Sequence, residues 1–190
     1  MGRKKSVLKQ TWNFLWNSDS PWSWVIDLVL AFIIVKFIIF PVLGFTLATA
    51  LPLVVIESGS MEHHASDFDD WWDKSGQWYV NKEYGQDAFK EWDFSNGLDQ
   101  GDVIVTKGKD QYEVGDVIIF NSLAQGTPII HRIIAYDGEI IQTKGDNNAK
   151  QLTYEKDIKA DQIISSAYIR IPKIGWLKLW VVDTLRALAK

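Results

Sequence analysis

Ile129-Ile130-His131-Arg132-Ile133-Ile134-Ala135-Tyr136-Asp137-Gly138-Glu139-Ile140-Ile141-Gln142-Thr143 is two β-branched apolar runs around Asp137-Gly138. An Asp-Gly pair readily takes the positive φ values of a two-residue hairpin turn. The stretch therefore predicts an antiparallel hairpin with strands over Ile129–Tyr136 and Glu139–Thr143. Upstream, Gly101-Asp102-Val103-Ile104-Val105 and Gly115-Asp116-Val117-Ile118-Ile119-Phe120 each place a turn pair before a β-branched run, the signature of two more strands. Leu51 to Ile56 reads as a buried strand and Ile163 to Ile171 as a further one. The fold class is mainly β.

Pairing outward from a two-residue turn sets Tyr136 opposite Glu139, His131 opposite Lys144 and Ile129 opposite Asp146. Side chains two apart on a strand share a face. That register puts His131, Lys144 and Asp146 on one face. His131 and Asp146 become a diagonal pair, about 7–8 Å apart at the backbone.

The chain has 190 residues, enough for one domain and an anchor. Its net charge of -4 offers no basic footprint for nucleic acid. There is no cysteine, which excludes disulfides and thiolate metal sites and leaves the compartment unread from redox chemistry. From Val25 to Phe40 the chain is apolar except for Asp27 and Lys36, and the run continues past Pro41 to Phe45. That approaches the roughly 20 residues needed to cross a bilayer core. Trp12, Trp16, Trp22 and Trp24 stand on its N-terminal side, where amphipathic rings favour a membrane boundary. A cleaved signal peptide would place its shorter apolar stretch nearer the charges, so the run reads as an uncleaved anchor. Arg3, Lys4, Lys5 and Lys9 put its start in the cytoplasm and the remainder outside. Lys36 is expected to snorkel.

The resulting organisation is a cytoplasmic basic N-terminus over 1–22, a transmembrane anchor over 23–45 and an extracytoplasmic β domain over 46–175. Residues 62–100 form a small Trp- and Asp-rich insertion in that domain, expected to be helical. Its acidic side reads as solvated surface, with a lid over the site as the sharper alternative. Residues 176–190 have apolar positions at helical spacing, for an amphipathic helix lying on the bilayer or docking on the domain.

Just after the anchor comes Ser58-Gly59-Ser60-Met61. A serine on a glycine-shaped turn, a histidine and a carboxylate are the parts of an acyl-transfer site. Singly each has an ordinary reading: Ser60 in a turn, His131 half-buried in a strand, Asp146 in an Asx turn. Their joint occurrence after an anchor favours chemistry. His63-His64 with Asp67 lacks the ligand spacing of a zinc site, and no cofactor is implied.

The motifs Ser58-Gly59-Ser60-Met61, Gly115-Asp116-Val117-Ile118, Ile130-His131-Arg132 and Thr143-Lys144-Gly145-Asp146-Asn147-Asn148 occur in that order. In order and spacing the chain resembles a type I signal peptidase of the archaeal and endoplasmic-reticulum branch, from the anchor to Trp176. The resemblance implies a signal-peptidase-like β-fold with one N-terminal transmembrane helix. It implies a membrane serine endopeptidase that removes signal peptides from secretory preproteins, at the cell membrane, beside the bilayer and the protein translocation channel. Ser60 matches the nucleophile and His131 the base, where the bacterial branch has a lysine. The Ser60 backbone amide is the expected oxyanion donor.

The chain departs from the family at two places. His63 stands where the family usually has proline. Leu152 stands where it often has a second aspartate, six residues after Asp146. Asp146 is the expected orienting carboxylate, with Asp157 and Asp161 as rivals. Lys144 is an alternative base, against which the polar tract around it counts. The missing aspartate also leaves open a membrane-tethered β-domain that binds exported proteins without cleaving them.

Overall fold

In the computed structural model, which describes residues 20–64, 67–122 and 125–188, the chain divides into Met1–Thr46 and Leu47–Lys190. The first unit holds helix α1, Pro21–Thr46, long and apolar enough to cross a membrane. Ser20 caps its start by accepting the Trp22 N–H, and Pro21 occupies the first turn, where its missing N–H costs nothing. At 1.5 Å per residue the helix is about 39 Å long, against a hydrocarbon core of about 30 Å. It loosens into a π-turn over Val35–Ile39. Lys36 lies in this turn, its ammonium 5.6 and 5.5 Å from the Phe32 and Phe37 ring centroids. Arg3, Lys4, Lys5, Lys9, Trp12 and Trp16, on which the orientation was read, lie outside the described residues.

The second unit is built on a six-stranded sheet ordered β1-β2-β6-β3-β4-β5. Its strands are β1 Leu53–Val55, β2 Val103–Lys107, β3 Val117–Phe120, β4 Ile129–Tyr136, β5 Ile141–Lys144 and β6 Ile163–Ile171. Every pairing is antiparallel. All of β3 is buried. Val117 packs with Ile56, Met61, Leu98 and Ile104 on one face. Ile118 and Phe120 pack with Ile133, Ile141 and Ile158 on the other. Successive strand residues point to opposite faces, so the site sits on a sheet fixed from both sides.

The β4–β5 register differs from the expected one. The Asp137 carboxylate accepts the N–H groups of Glu139 at 3.0 Å and Ile140 at 2.8 Å. These bonds extend the turn beyond two residues, and Tyr136 pairs with Ile141 rather than Glu139. A bulge between Ile133 and Ala135 shifts the ladder again, and Arg132, not His131, opposes Lys144. A one-residue slip exchanges faces, so His131 and Lys144 are parted. His131 pairs with Ile118 on β3.

The insertion is helical, as expected. Phe68–Trp71, a π-turn over Trp72–Gly76 and Gln77–Val80 follow one another as α2, and Gln86–Lys90 forms α3. Trp71, Trp72, Tyr79 and Phe89 are buried together against Ile134 of β4, with Phe68, Trp78, Tyr84 and Trp92 around them. Helix α4, Trp176–Leu188, buries Leu179 and exposes Leu177, Trp180, Val181, Leu185 and Leu188.

Candidate active site

Strand β1 leads through Ile56 into a single 3-10 turn, Gly59–Met61. Met61 is fully buried, and its carbonyl accepts the Leu98 N–H at 2.9 Å. Gly97, at φ +74°, allows this closure: a Cβ there would lie 2.5 Å from the Met61 carbonyl oxygen. Burying Met61 turns Ser60 toward β4. Its Oγ lies 2.9 Å from His131 Nε2 and 3.2 Å from Ser58 Oγ.

On the other side of the ring, His131 Nδ1 is 2.5 Å from Glu155 Oε1, with side chains 4% and 0% exposed. The carboxylate approaches off the N–H axis, so the contact lacks hydrogen-bond angles. Glu155 closes the 3-10 turn Thr153–Glu155. Its Oε2 accepts the Leu152 N–H at 2.5 Å, the reach-back of a helix-start glutamate to the residue before the turn. An isolated bridge between Ile141 and Ile158 holds this loop to the edge of the sheet. The three side chains form a line: hydroxyl, imidazole, carboxylate.

Asp146 occupies a different place from the expected one. Its Oδ1 accepts from Tyr79 Oη at 2.8 Å and Arg132 Nε at 3.0 Å. Its Oδ2 meets Arg132 Nη2 at 2.8 Å and His63 Nε2 at 3.1 Å. Burial opposes its charge, but Arg132 and His63 overcome this and hold its carboxyl well below the usual carboxylate range. The remaining Arg132 N–H groups donate to the carbonyls of Asp93 (2.6 Å), Gly115 (2.9 Å) and Phe94 (2.9 Å). A fully buried guanidinium with all five donors used is a structural hub. The carboxylate at the His131 ring is thus Glu155. The diagonal placement of Asp146 is corrected, because it rested on the register that the longer turn and the bulge change. The rivals Asp157 and Asp161 are solvent-exposed.

Lys144 is buried. Its ammonium donates to the carbonyls of Gly145 at 3.0 Å and Asp146 at 3.2 Å and lies 5.0 and 4.8 Å from the Trp78 and Tyr79 ring centroids. Burial pushes it down to about 8, partly offset by Asp146 and Glu155. Between Lys144 and Asp146, Gly145 permits another close approach. A Cβ there would lie 2.8 Å from His131 Nε2 and 2.8 Å from the Ser60 carbonyl oxygen.

No family model matches the chain. The signal peptidase complex catalytic subunit SEC11 of Scheffersomyces stipitis is 25% identical over 160 residues, covering 78% of this chain and 76% of that protein. The SEC11 subunit of Saccharomyces cerevisiae is 26% identical over 154 residues, covering 74% and 72%. The chain's homologues are signal peptidase catalytic subunits. The resemblance read from the four motifs is borne out. Both SEC11 proteins are from yeasts, so the eukaryotic side of that resemblance has support and an archaeal source has none.

Sequence reasoning missed Glu155. Its only signal is a glutamate three residues after Leu152, the reach-back half of a capping box, in a loop without periodicity. Arg132 was quoted without a role, and Tyr79 was not singled out. Both are drawn in by the insertion, whose docking on β4 has no local sequence mark.

Proposed function

We propose that the chain is a membrane-bound serine endopeptidase that removes signal peptides from exported preproteins. The observation that carries this is the 2.9 Å contact between Ser60 Oγ and His131 Nε2, backed by Glu155 at Nδ1, in a chain similar to SEC11 catalytic subunits. His131 takes the Ser60 proton as the hydroxyl attacks the carbonyl that ends the signal segment. The Glu155 charge beside Nδ1 favours the tautomer with Nε2 free to accept and stabilises the imidazolium that forms. The Ser60 backbone amide faces the developing oxyanion. The acyl-enzyme then yields to water, with His131 as the base for the second step. Lys144 has two carbonyls and two rings as neighbours, which favours His131 over Lys144 as base.

The substrate is an extended segment. Strand β1 lies at one edge of the sheet and runs toward Ser60, and an open edge accepts a peptide as an added strand. Helix α1 spans the bilayer with its N-terminus in the cytoplasm, and the exposed apolar side chains of α4 lie on the lipid surface. The catalytic domain is then outside, where signal peptides leave the translocation channel. The absence of an aspartate at Leu152 argued for a binder without activity. Glu155 answers that argument by supplying a carboxylate from further along the loop.

The test is cleavage of a preprotein by the full chain in lipid. Wild type cuts at the signal boundary, Ser60→Ala does not, and Ser58→Ala retains at least part of the activity. Equal cleavage by wild type and Ser60→Ala refutes the assignment. Labelling in intact cells, with residues 67–188 reached from outside, checks the orientation.

A further inference from the structure

The turn after β5 is stitched to the serine turn along its length. The Asn147 N–H donates to the Ser60 carbonyl at 2.9 Å, and Asn147 Nδ2 donates to the Gly59 carbonyl at 2.9 Å. The Asp146 N–H points at Met61 Sδ, 3.5 Å away. Wherever residues 145–147 sit, the backbone of Ser60 follows. The other side of that turn is held by the insertion. Tyr79 and His63 both bond the Asp146 carboxylate. Trp78 and Tyr79 flank the Lys144 ammonium. Asp93 and Phe94 hold the Arg132 guanidinium. His63 is itself fixed by stacking on Trp71, with ring centroids 3.6 Å apart and planes 2° from parallel.

We propose that the tryptophan-rich insertion positions the nucleophile, with Tyr79 and His63 as positioning residues acting on Ser60 through Asp146 and Asn147. This deepens the reading of Ser60 as the nucleophile and rests on it. The chain of contacts runs from the aromatic cluster to Asp146, from Asp146 to the turn and from the turn to the Ser60 carbonyl. It bypasses His131. A lid would cover the site from solvent and move. This insertion instead buries Trp71, Tyr79 and Phe89 to 2%, 0% and 0% exposure and bonds a fully buried carboxylate. His63 stands where the signal peptidase family usually has proline, a residue with no side-chain donor, so this strut belongs to the chain's own insertion.

Because a reactive serine must be held close to its attack geometry, releasing the strut lowers kcat and spares KM. Tyr79→Phe keeps the ring in the cluster and removes one donor to Asp146. His63→Leu removes the other, and His63→Gln offers an amide N–H in its place. The experiment measures cleavage kinetics and amide hydrogen exchange on the full chain in lipid nanodiscs. Expected are a kcat about tenfold lower in Tyr79→Phe and His63→Leu, with KM within about twofold, and recovery to within about threefold in His63→Gln. Exchange at residues 57–62 and 145–149 rises at least about fivefold in the two damaging variants and is unchanged in β2 and β6. Unchanged exchange at those two turns overturns the proposal whether or not the protein cleaves. Loss of the difference between wild type and Ser60→Ala overturns instead the functional reading beneath it.

Discussion

Replacing Glu155 with glutamine is the most direct perturbation of the site. Glutamine keeps the length of the side chain and an oxygen for the Leu152 N–H, so the 3-10 turn survives. What it removes is the negative charge 2.5 Å from His131 Nδ1. The centres of carboxylate and imidazolium lie about 4 Å apart, and at an effective dielectric of about 20 their attraction is about 4 kcal/mol. That attraction exists only when His131 is protonated, as it becomes on taking the Ser60 proton in the proposed reaction. The barrier rises by the same amount, about a thousandfold in kcat. Asp146→Asn acts in another way. It unpairs a buried Arg132 and costs about 3–5 kcal/mol of stability. The assay is therefore double: steady-state cleavage of a preprotein and denaturant unfolding, on both variants. Glu155→Gln should be folded and nearly inactive, and Asp146→Asn marginally folded. Glu155→Gln within about fivefold of wild type would refute the argument.

Gly145→Ala should cost at least about tenfold in kcat and about 1–3 kcal/mol in stability, since the new methyl meets the Ser60 carbonyl and must move backbone; kinetics and melting at wild-type levels would contradict this. Lys144 gives a pH signature. Burial lowers it from 10.5 to about 8, so between those values the unfolded chain binds more protons and stability rises with pH. The rise amounts to about 3 kcal/mol, absent below pH 8 and complete near 10.5. The stability of wild type relative to Lys144→Met should show it, and parallel curves from pH 7 to 11 would exclude it. Finally, His131→Ala should lose cleavage while Lys144→Ala keeps a measurable rate; the opposite pattern would move the base to Lys144.

The long apolar helix and the strands were legible because each is a local pattern: an apolar run broken only by Asp27 and Lys36 in α1, and β-branched runs behind Gly-Asp pairs in β2 and β3. Ser60 and His131 were legible because their motifs are short and ordered. Asp146 was read through the hairpin register, and that register hung on one side chain. Asp137 chooses between a two-residue turn and a longer one by whether its carboxylate caps Glu139 and Ile140, and an Asp-Gly pair permits both. Glu155 was illegible for a different reason. Its role comes from the edge of the sheet meeting a loop, through a pairing between Ile141 and Ile158 that neither residue announces. Tyr79 was one ring among many in an aromatic segment. Its hydroxyl has meaning only once the insertion is docked on Asp146.

The strand order has a consequence for how the molecule is made. Strand β6 is the last to leave the ribosome, yet it lies between β2 and β3. The paired strands β1 and β2 flank the serine turn and the insertion, while β4 carries the histidine and the loop after β5 carries Glu155. Without β6 these are two half-sheets with open edges. Pairings this distant in sequence form late and slowly. The serine turn and the turn after β5 are already stitched through Asn147, so β6 closes a sheet whose two halves also meet at the candidate site. Completion of the sheet therefore waits for a strand that must insert between two others, and the order of the strands makes that insertion the late step of folding.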